Sequence, residues 1–274
     1  MDKINIFGKG FIGSRFCEMT SGTIVNKRDD YKIKTNNILY FISTVDNYNV
    51  YTEPFLDIDT NLNVLIKVLE SCKGKNVVFN FISSWFVYGD VSLPYKEDSL
   101  CNPKGFYSIT KRAAEQLLIS YCETFDLKYR IIRLANVLGE TDGKVSKKKN
   151  ALQYLIGEIA KGNDVELYHN GEVYRDYIYV DDAINAIKLI LEKGKLNEIY
   201  NIGNGESSMF GNAIRYVANK MKTGSKLVSI NPTGFHNVVQ VRNMGLDTSK
   251  IKALGYEPEY DMHKILDILV DSVK

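Results

Sequence analysis

The stretch "INIFGKGFIGSRF", residues 4–16, constrains this chain more than any other: an apolar strand runs into a turn with three glycines, and a helical periodicity starts inside that turn. Gly8, Gly10 and Gly13 stand in G-x-G-x-x-G spacing. Glycine lets the backbone turn tightly and come close to a bound group, while the first N–H groups of the helix face the same point. A pyrophosphate suits that arrangement, so Gly8, Gly10, Phe11, Ile12 and Gly13 read as one side of a dinucleotide site. The plainer reading is a structural glycine turn. A strand immediately before it and a helix immediately after favour the ligand site.

The chain alternates in the same way further on. "GTIVN", "NILYFIST" and "NVVFNFISS" are apolar runs of strand length, "DTNLNVLIKVLESC" and the stretch from about Phe106 have helical periodicity, and "KYRIIRLANVLG" is a further strand. Near-continuous apolar strands between helices mark a parallel sheet covered on both faces. The expected fold is α/β: a Rossmann-type doubly wound parallel sheet with a smaller C-terminal α+β substrate domain. Two later regions are richer in polar and loop residues, and between them "YRDYIYVDDAINAIKLIL" and "EIYNIG" read as a helix and a strand returning to the main sheet. The expected division is 1–142 with 173–203 as the dinucleotide-binding domain and 143–172 with 204–274 as the substrate domain. One crossover is short. About ten residues separate "TIVN" from "NILYF", too few for a covering helix, and "YKIK" between them is a short strand or a loop.

With 274 residues and 45% hydrophobic content, the chain can bury one large core and an annex. A net charge of +2, with Lys and Arg spread along the chain, argues against a nucleic-acid or membrane surface, and "SKKKN" at 146–150 reads as a solvated loop. "MDKINIF" reads as a strand rather than a signal peptide, and no apolar run reaches the ~20 residues of a membrane span, so a cytoplasmic protein is expected. Cys17, Cys72, Cys101 and Cys122 form no C-x-x-C pair, which suits reduced thiols in or near the core rather than a metal site.

The two nicotinamide dinucleotides are told apart at the end of the second strand, where a carboxylate bonds a ribose 2′-OH and a basic group pairs with a 2′-phosphate. Here the chain reads "VNKRDD". Lys27 and Arg28 take the basic position and point to NADP(H); Asp29 and Asp30 would reach a ribose, and so NAD(H), in a tighter turn. Reacting groups of an open α/β sheet gather at strand C-termini, which is where "SSWFVYGD" puts Ser83 and Ser84. In "GFYSITKRAAEQLL", residues 105–118, Tyr107 and Lys111 stand at i and i+4 on one helix face. That spacing alone is common on amphipathic helices. Downstream of a glycine turn and a strand-end serine it describes hydride transfer: Tyr107 gives or takes the alcohol proton, Ser84 hydrogen-bonds the same oxygen, and Lys111 favours tyrosinate. An unperturbed tyrosine has a pKa of about 10, so base work near neutrality needs a nearby cation, here Lys111 together with an oxidised nicotinamide.

The series "GKGFIGS", "SSWFVYG", "YSITK", "RLANVLG", "YRDYIYVDDAINAI", "YNIGNGE" and "LDTSKIKALGYEP" resembles, in this order and along nearly the whole chain, the extended short-chain dehydrogenase/reductase family. Its members are NAD(P)-dependent epimerases, reductases and dehydratases of sugar nucleotides. The resemblance implies Ser84, Tyr107 and Lys111 as the catalytic trio, with Lys111 also on the nicotinamide ribose, and Ser43 and Thr44 lining the cofactor. On the side of a nucleotide-diphosphate sugar it implies Asn136 beside the phosphates, Arg175 on the diphosphate and Arg242 in "RNMGLDTSK". Amide and guanidinium are suitable donors to phosphate oxygens. The plainer readings are a turn cap for Asn136 and an ion pair with Asp176 for Arg175; Asp181 and Asp182 read as caps of the following helix. Trp85 either bounds the sugar or belongs to the core. The resemblance further implies a homodimer through the helices spanning about 60–73 and 106–125, whose apolar residues lie on more than one face.

Departures from the family pattern narrow the reaction. Phe7 stands where many members have a further glycine, and "FISTVDN" replaces a His-Leu-Ala-Ala type of strand end. Trp85 and Phe86 occupy the positions where 4,6-dehydratases carry Asp-Glu, and the cysteine of the 3,5-epimerase/4-reductase type is missing there too. What is left is 4-keto reduction of an NDP-hexose with Tyr107 as general acid, or an NAD-dependent NDP-sugar 4-epimerase. The basic "NKR" turn, the short cofactor half and "RNMGLDTSK" put the reductase first. A non-catalytic nucleotide-binding or redox-sensing protein on the same fold is the third reading, and such proteins commonly lose the Tyr or Lys kept here.

Overall fold

A strand buried along its length has no side for water, and β1 (Ile4–Phe7), whose one polar residue, Asn5, is also buried, lies inside a sheet. The computed structural model describes residues 3–45, 47–143, 145–146 and 148–274; Met1 and Asp2 of "MDKINIF", Asp46 of "FISTVDN" and Lys147 of "SKKKN" lie outside the described residues. After β1 come α1 (Phe11–Glu18), β2 (Thr23–Val25), β3 (Asn37–Tyr40), α2 (Asn49–Thr52), α3 (Phe55–Ile58), α4 (Val64–Glu70), β4 (Val78–Ser84), α5 (Phe106–Thr124) and β5 (Lys128–Leu134). The second half runs β6 (Asn136–Leu138), α6 (Ala151–Ala160), β7 (Val165–Tyr168), β8 (Tyr174–Tyr179), α7 (Val180–Lys193), β9 (Glu198–Ile202), β10 (Ser207–Met209) and α8 (Phe210–Met221). It ends with β11 (Leu227–Ile230), α9 (Gly234–Val239), α10 (Ser249–Lys252) and α11 (Met262–Ser272).

The main sheet has six strands in the order β2-β1-β3-β4-β5-β9, every pair parallel, which is the Rossmann-type doubly wound arrangement. Period-2 alternation divides its residues between two cores. Ile4 and Ile6 face one way, packing with Phe16 of α1 and with Ile184 and Ile187 of α7; Phe7, Phe79 and Phe81 face the other, with Leu65 and Leu69 of α4 and Leu118 of α5. A smaller α+β part adds a three-stranded sheet, β10-β8-β6, a parallel pair, β11-β7, and a third core between α6, α8 and α11. Strand β9 and helix α7 return to the main sheet as expected, but β8 pairs with β6 and β10 instead. "KYRIIRLANVLG" is two strands in two sheets: β5 stops at Leu134, the Ala135 amide still reaches Ile202 of the main sheet, and β6 turns to meet β8.

No helix covers the β2–β3 crossover, and "YKIK" is loop. Buried Asn26 organises it: Asn26 Nδ2 donates to the carbonyls of Asp30 (2.6 Å) and Lys32 (2.9 Å), while Asn26 Oδ1 accepts from Asn5 Nδ2 at 2.8 Å. Two expectations about charged residues change. Asp181 and Asp182 lie in the first turn of α7 without capping it: Asp181 takes a bidentate pair from Arg15 of α1 at 2.6 and 2.8 Å, and Asp182 accepts from the amides of Glu259 and Tyr260. Within "SKKKN", Lys149 is not simply solvated, because its ammonium bonds the buried Asp142 carboxylate at 2.6 and 2.8 Å. The four cysteines are free thiols, two buried and two partly buried. No helix among the described residues is long and apolar enough to cross a membrane.

A charged pair fastens α5 to the sheet. Arg133 of β5 donates to Glu115 of α5 through Nε (3.0 Å) and Nη2 (2.8 Å), with both side chains almost wholly buried, and Arg112 adds a third bond at 2.8 Å. Burial opposes the charge on Glu115, yet the hydrogen bonds and charge of Arg133 hold it below the usual carboxylate value. Removing one partner strands the other, at a cost of about 3–5 kcal/mol. In urea melts, Glu115→Ala is expected to lose about that much, and Glu115→Ala with Arg133→Met to regain most of it; a double variant no better than the single would show that the stranded charge is not what costs stability.

Candidate functional site

Parallel strands point the same way, so the C-terminal ends of β1, β3, β4 and β5 open on one edge of the sheet, where the predicted residues collect. At the end of β1, Gly8 has φ +94°, and a Cβ on Gly13 would sit 2.4 Å from the Gly8 carbonyl oxygen, so these two glycines are required by the turn itself. Gly10 differs: a Cβ there would meet nothing within 4 Å. It is the N-cap of α1 and supplies no side-chain cap, which leaves the helix N-terminus with Phe11 and Ile12 uncovered toward that space. The cradle has the form a pyrophosphate needs.

Tyr107 occupies the first turn of α5 and is 9% exposed. The helix begins at Gly105 (φ +83°), which has no side chain to cap it, and Asn47 from the β3–α2 loop does so instead, accepting from the Tyr107 amide at 3.1 Å. The Ser84 and Ser43 hydroxyls lie beside the Tyr107 phenol. Burial pushes Tyr107 up to about 12; the nearby Ser84 hydroxyl lowers it, the Asp57 charge raises it and the Ser43 hydroxyl lowers it. Ser84 ends β4 and is held by accepting from the Phe86 amide at 3.4 Å, and the Phe86 ring stands edge-on to Tyr107 with centroids 5.8 Å apart.

One turn along α5, Lys111 lies on the same buried face. Its ammonium donates to the Ile82 carbonyl at 2.7 Å and lies 4.3 Å from the centre of the Phe81 ring. Burial pushes it down to about 7, against the charge of Glu115. The sequence reading had Lys111 as a fixed cation beside Tyr107; here it is poised between its charged and neutral forms, because desolvation penalises the ammonium.

Ser43 and Thr44 follow β3 and belong to a polar cluster that sequence reasoning missed. Ser43 Oγ and the Thr44 amide donate to Asn61 Oδ1 at 3.1 and 2.9 Å, and Asn61 Nδ2 donates to the Thr44 and Thr110 hydroxyls, each at 2.9 Å. The Thr44 hydroxyl donates in turn to the carboxylate of fully buried Asp57. Asn61 lies in a π-helical turn, Asp59–Asn63, between α3 and α4, and such turns often mark functional positions. The available signal was polar Asp57 and Asn61, four apart, on the helix face continued by apolar Leu65 and Val68.

On the substrate side, Asn136 begins β6, accepts from Trp85 Nε1 at 3.3 Å and donates to the Asp176 carbonyl at 3.2 Å. Trp85 is 2% exposed and stacks on Phe86, so its ring is part of the wall behind the serine. Arg175 makes no ion pair with Asp176: its guanidinium, 6% exposed, donates to the carbonyls of Tyr174 (2.8 Å), Arg242 (2.7 Å) and Val241 (2.7 Å), and Asp176 accepts from the amides of Asn204 and Gly205. Arg242 is exposed and lines a cavity of about 360 Å³ with Glu172, Tyr174, Met209 and Asn243. Lys27 and Arg28 stand apart from this cluster in their contacts; both are exposed, and the Arg28 side chain, 96% exposed, has Asp29 at 3.9 Å as its charged neighbour.

A family model described as the NAD dependent epimerase/dehydratase family matches residues 33–203. The Haloferax volcanii low-salt glycan biosynthesis protein Agl12 is 29% identical over 80% of this chain and 68% of its own length. The solved UDP-glucose 4-epimerase of Thermotoga maritima with UDP-glucose has a TM-score of 0.87 at 24% identity, covering 99% of this chain and 98% of that one. The Thermus thermophilus UDP-glucose 4-epimerase complex with NAD has a TM-score of 0.84 at 23% identity, covering 100% and 99%. Five of six similar structures with a named nicotinamide cofactor hold NAD; the sixth, RMD from Pseudomonas aeruginosa, holds NADPH. The NADP(H) preference drawn from Lys27 and Arg28 is therefore corrected. Its physical weakness is visible in the turn, which is closed by buried Asn26 while the basic side chains extend into solvent.

The depressed Lys111 has a consequence for stability. Its folded pKa of about 7 lies below its ordinary 10.5, so above pH 7 the unfolded chain binds more protons than the folded one, and stability rises with pH. Between pH 7 and 9 the wild-type Tm is expected to gain an upward increment that Lys111→Met lacks, the buried thiols contributing equally to both proteins. Parallel Tm profiles for the two proteins would contradict a desolvated Lys111.

Proposed function

The chain belongs to the NAD dependent epimerase/dehydratase family, enzymes of nicotinamide-dependent sugar-nucleotide chemistry, and on that premise we propose that it is an NAD-dependent NDP-sugar 4-epimerase. This reverses the order of the two readings drawn from the sequence. Epimerases and dehydratases outnumber simple 4-keto reductases among the similar proteins, and the basic turn that spoke for a reductase is solvated. The observation that carries the reading is the buried Tyr107 phenol set beside the Ser84 hydroxyl at the sheet edge that also holds the glycine cradle. Trp85 and Phe86 after Ser84 supply no second acid–base pair, which speaks against elimination of water.

When bound, the nicotinamide supplies a hydride acceptor and donor. The chain's own residues do the rest. Gly8, Gly10, Phe11, Ile12 and Gly13 hold the pyrophosphate on the α1 N-terminus, and Ser43 and Thr44 wall the nicotinamide end. Tyr107 takes the proton of the sugar hydroxyl and returns it to the ketone, with Ser84 bonding the same oxygen. At about 12 the phenol is almost wholly protonated near neutrality, so its work as a base there depends on positive charge brought close, from Lys111 and the oxidised cofactor. Arg242 faces the diphosphate from the cavity; Arg175 acts through the carbonyls of residues 241 and 242 that it grips, and Asn136 fixes Trp85. Residues 1–142 with 173–203 serve the cofactor, and 143–172 with 204–274 serve the sugar nucleotide.

Purified protein given UDP-glucose or UDP-galactose and NAD is expected to interconvert the C4 epimers with no net formation of NADH, followed by proton NMR. Stoichiometric consumption of NADH with a 4-keto sugar nucleotide would replace the epimerase by the reductase. Tyr107→Phe should lower kcat by about 10²–10⁴ with KM little changed, the usual worth of a positioned acid–base group; wild-type kcat in that variant would refute the mechanism.

A homodimer is proposed as well. Phe106, Ile109 and Leu117 of α5 are exposed along one stripe, and the exposed apolar residues beside it are Phe55, Leu56 and Ile58 of α3 rather than those of the expected 60–73 helix, whose exposed positions Asn63, Lys67, Glu70 and Lys73 are polar; this α3–α5 face is the one a second copy would cover. Light scattering should show a dimer for the wild type and a monomer for Ile109→Glu; an unchanged mass for that variant would place any interface elsewhere.

A further inference from the structure

Asp57 is fully buried in α3, and its two oxygens are treated unequally. Oδ1 accepts from the Thr44 hydroxyl and from Asn49 Nδ2 at 3.3 Å, both neutral donors; Oδ2 is enclosed and has no hydrogen-bond partner among the described residues. A buried carboxylate is costly unless a donor or a cation answers it. The residues around it are those of the proposed nicotinamide wall: Thr44 binds both Asp57 and Asn61, Asn61 holds Ser43, and the Ser43 hydroxyl lies near enough to the Tyr107 phenol to lower it. The Asp57 charge is felt at Tyr107 itself, where it raises the phenol. Hydride transfer requires the nicotinamide and the carbon served by Tyr107 to meet, so the charged ring has to come into this neighbourhood.

We propose that Asp57 is a charge-selective residue of the cofactor site, which stabilises the oxidised, positively charged nicotinamide against the reduced, neutral one. The proposal deepens the epimerase reading and rests on it. An epimerase must start each turnover with oxidised cofactor, and a carboxylate answered only by neutral donors supplies a standing preference for the form that carries a positive charge. The interaction is strong because both groups are withdrawn from water, where charges attract far more than they do in bulk solvent.

The test measures binding, independent of any substrate. Wild-type protein and Asp57→Asn are titrated with NAD+ and with NADH by calorimetry. Asn is close to Asp in shape and removes the charge. The variant is expected to lose about tenfold in NAD+ affinity with less than about twofold change for NADH, a difference of about 1.4 kcal/mol. Equal changes for the two forms, or none, would overturn the proposal while leaving the epimerase reading in place. If the wild type bound neither form, both would fall together. Asn49→Ala gives a second reading independent of how well Asp57→Asn folds: it withdraws a neutral donor from Asp57 and leaves the charge, so the NAD+ preference is expected to persist. Its loss there would assign selection to the shape of the polar cluster and overturn the charge proposal.

Discussion

The buried pair between Glu115 and Arg133 is the contact on which the site depends. Arg133 lies on β5, inside the main sheet, and Glu115 lies on α5 two turns beyond Tyr107. A helix packed on a sheet through apolar side chains alone can slide and rotate with little penalty, since dispersion and hydrophobic contact have no direction. A bidentate, desolvated guanidinium–carboxylate pair has a single satisfactory geometry. It sets the rotation of α5 about its own axis and so decides that Tyr107 and Lys111 face the strand ends. Tyr88, whose ring lies 4.6 Å from the Arg133 guanidinium, and the Glu97 carbonyl complete the enclosure of that charge.

The other end of α5 is gripped from the opposite side. Asn47 caps the Tyr107 amide, and Thr110 receives the Asn61 amide while donating to the carbonyls of the first turn. The loop after β3 and the π-turn before α4 are thereby tied to the turn that carries the phenol. That tie is made by hydrogen bonds, which are directional, rather than by apolar contact alone. The same assembly explains the electrostatics. Excluding water raises Tyr107 and lowers Lys111, so near neutrality the phenol stays protonated while Lys111 is poised between its charged and neutral forms.

Much of this was legible one residue at a time. The glycine turn, the serine at the end of β4 and the i, i+4 pair on α5 were found by spacing, and the missing crossover helix by counting. The errors have a common source. Arg175 was read as an ion-pair partner of Asp176, and it donates instead to the carbonyls of Tyr174, Val241 and Arg242. Asp181 and Asp182 were read as local caps, and they bind α1 and the segment before α11. Lys27 and Arg28 were read as cofactor ligands because they follow β2, although being next to a strand end does not aim a long flexible side chain. In each case residue type stated what the group could bind, and a partner distant in sequence settled what it does bind.

By itself the sequence determined the alternation of strands and helices, the glycine cradle, the covered faces of the sheet and the i, i+4 placing of Tyr107 and Lys111 on one helix face, because these follow from short-range periodicity and backbone sterics. Tertiary structure alone decided the rotation of α5, the cap on Tyr107, the inclusion of Asn61 and Asp57 in the site and the near-neutral poise of Lys111. Those depend on burial and on hydrogen bonds between segments tens of residues apart. Desolvation and directional bonding are properties of the packed neighbourhood, which no short window of sequence contains.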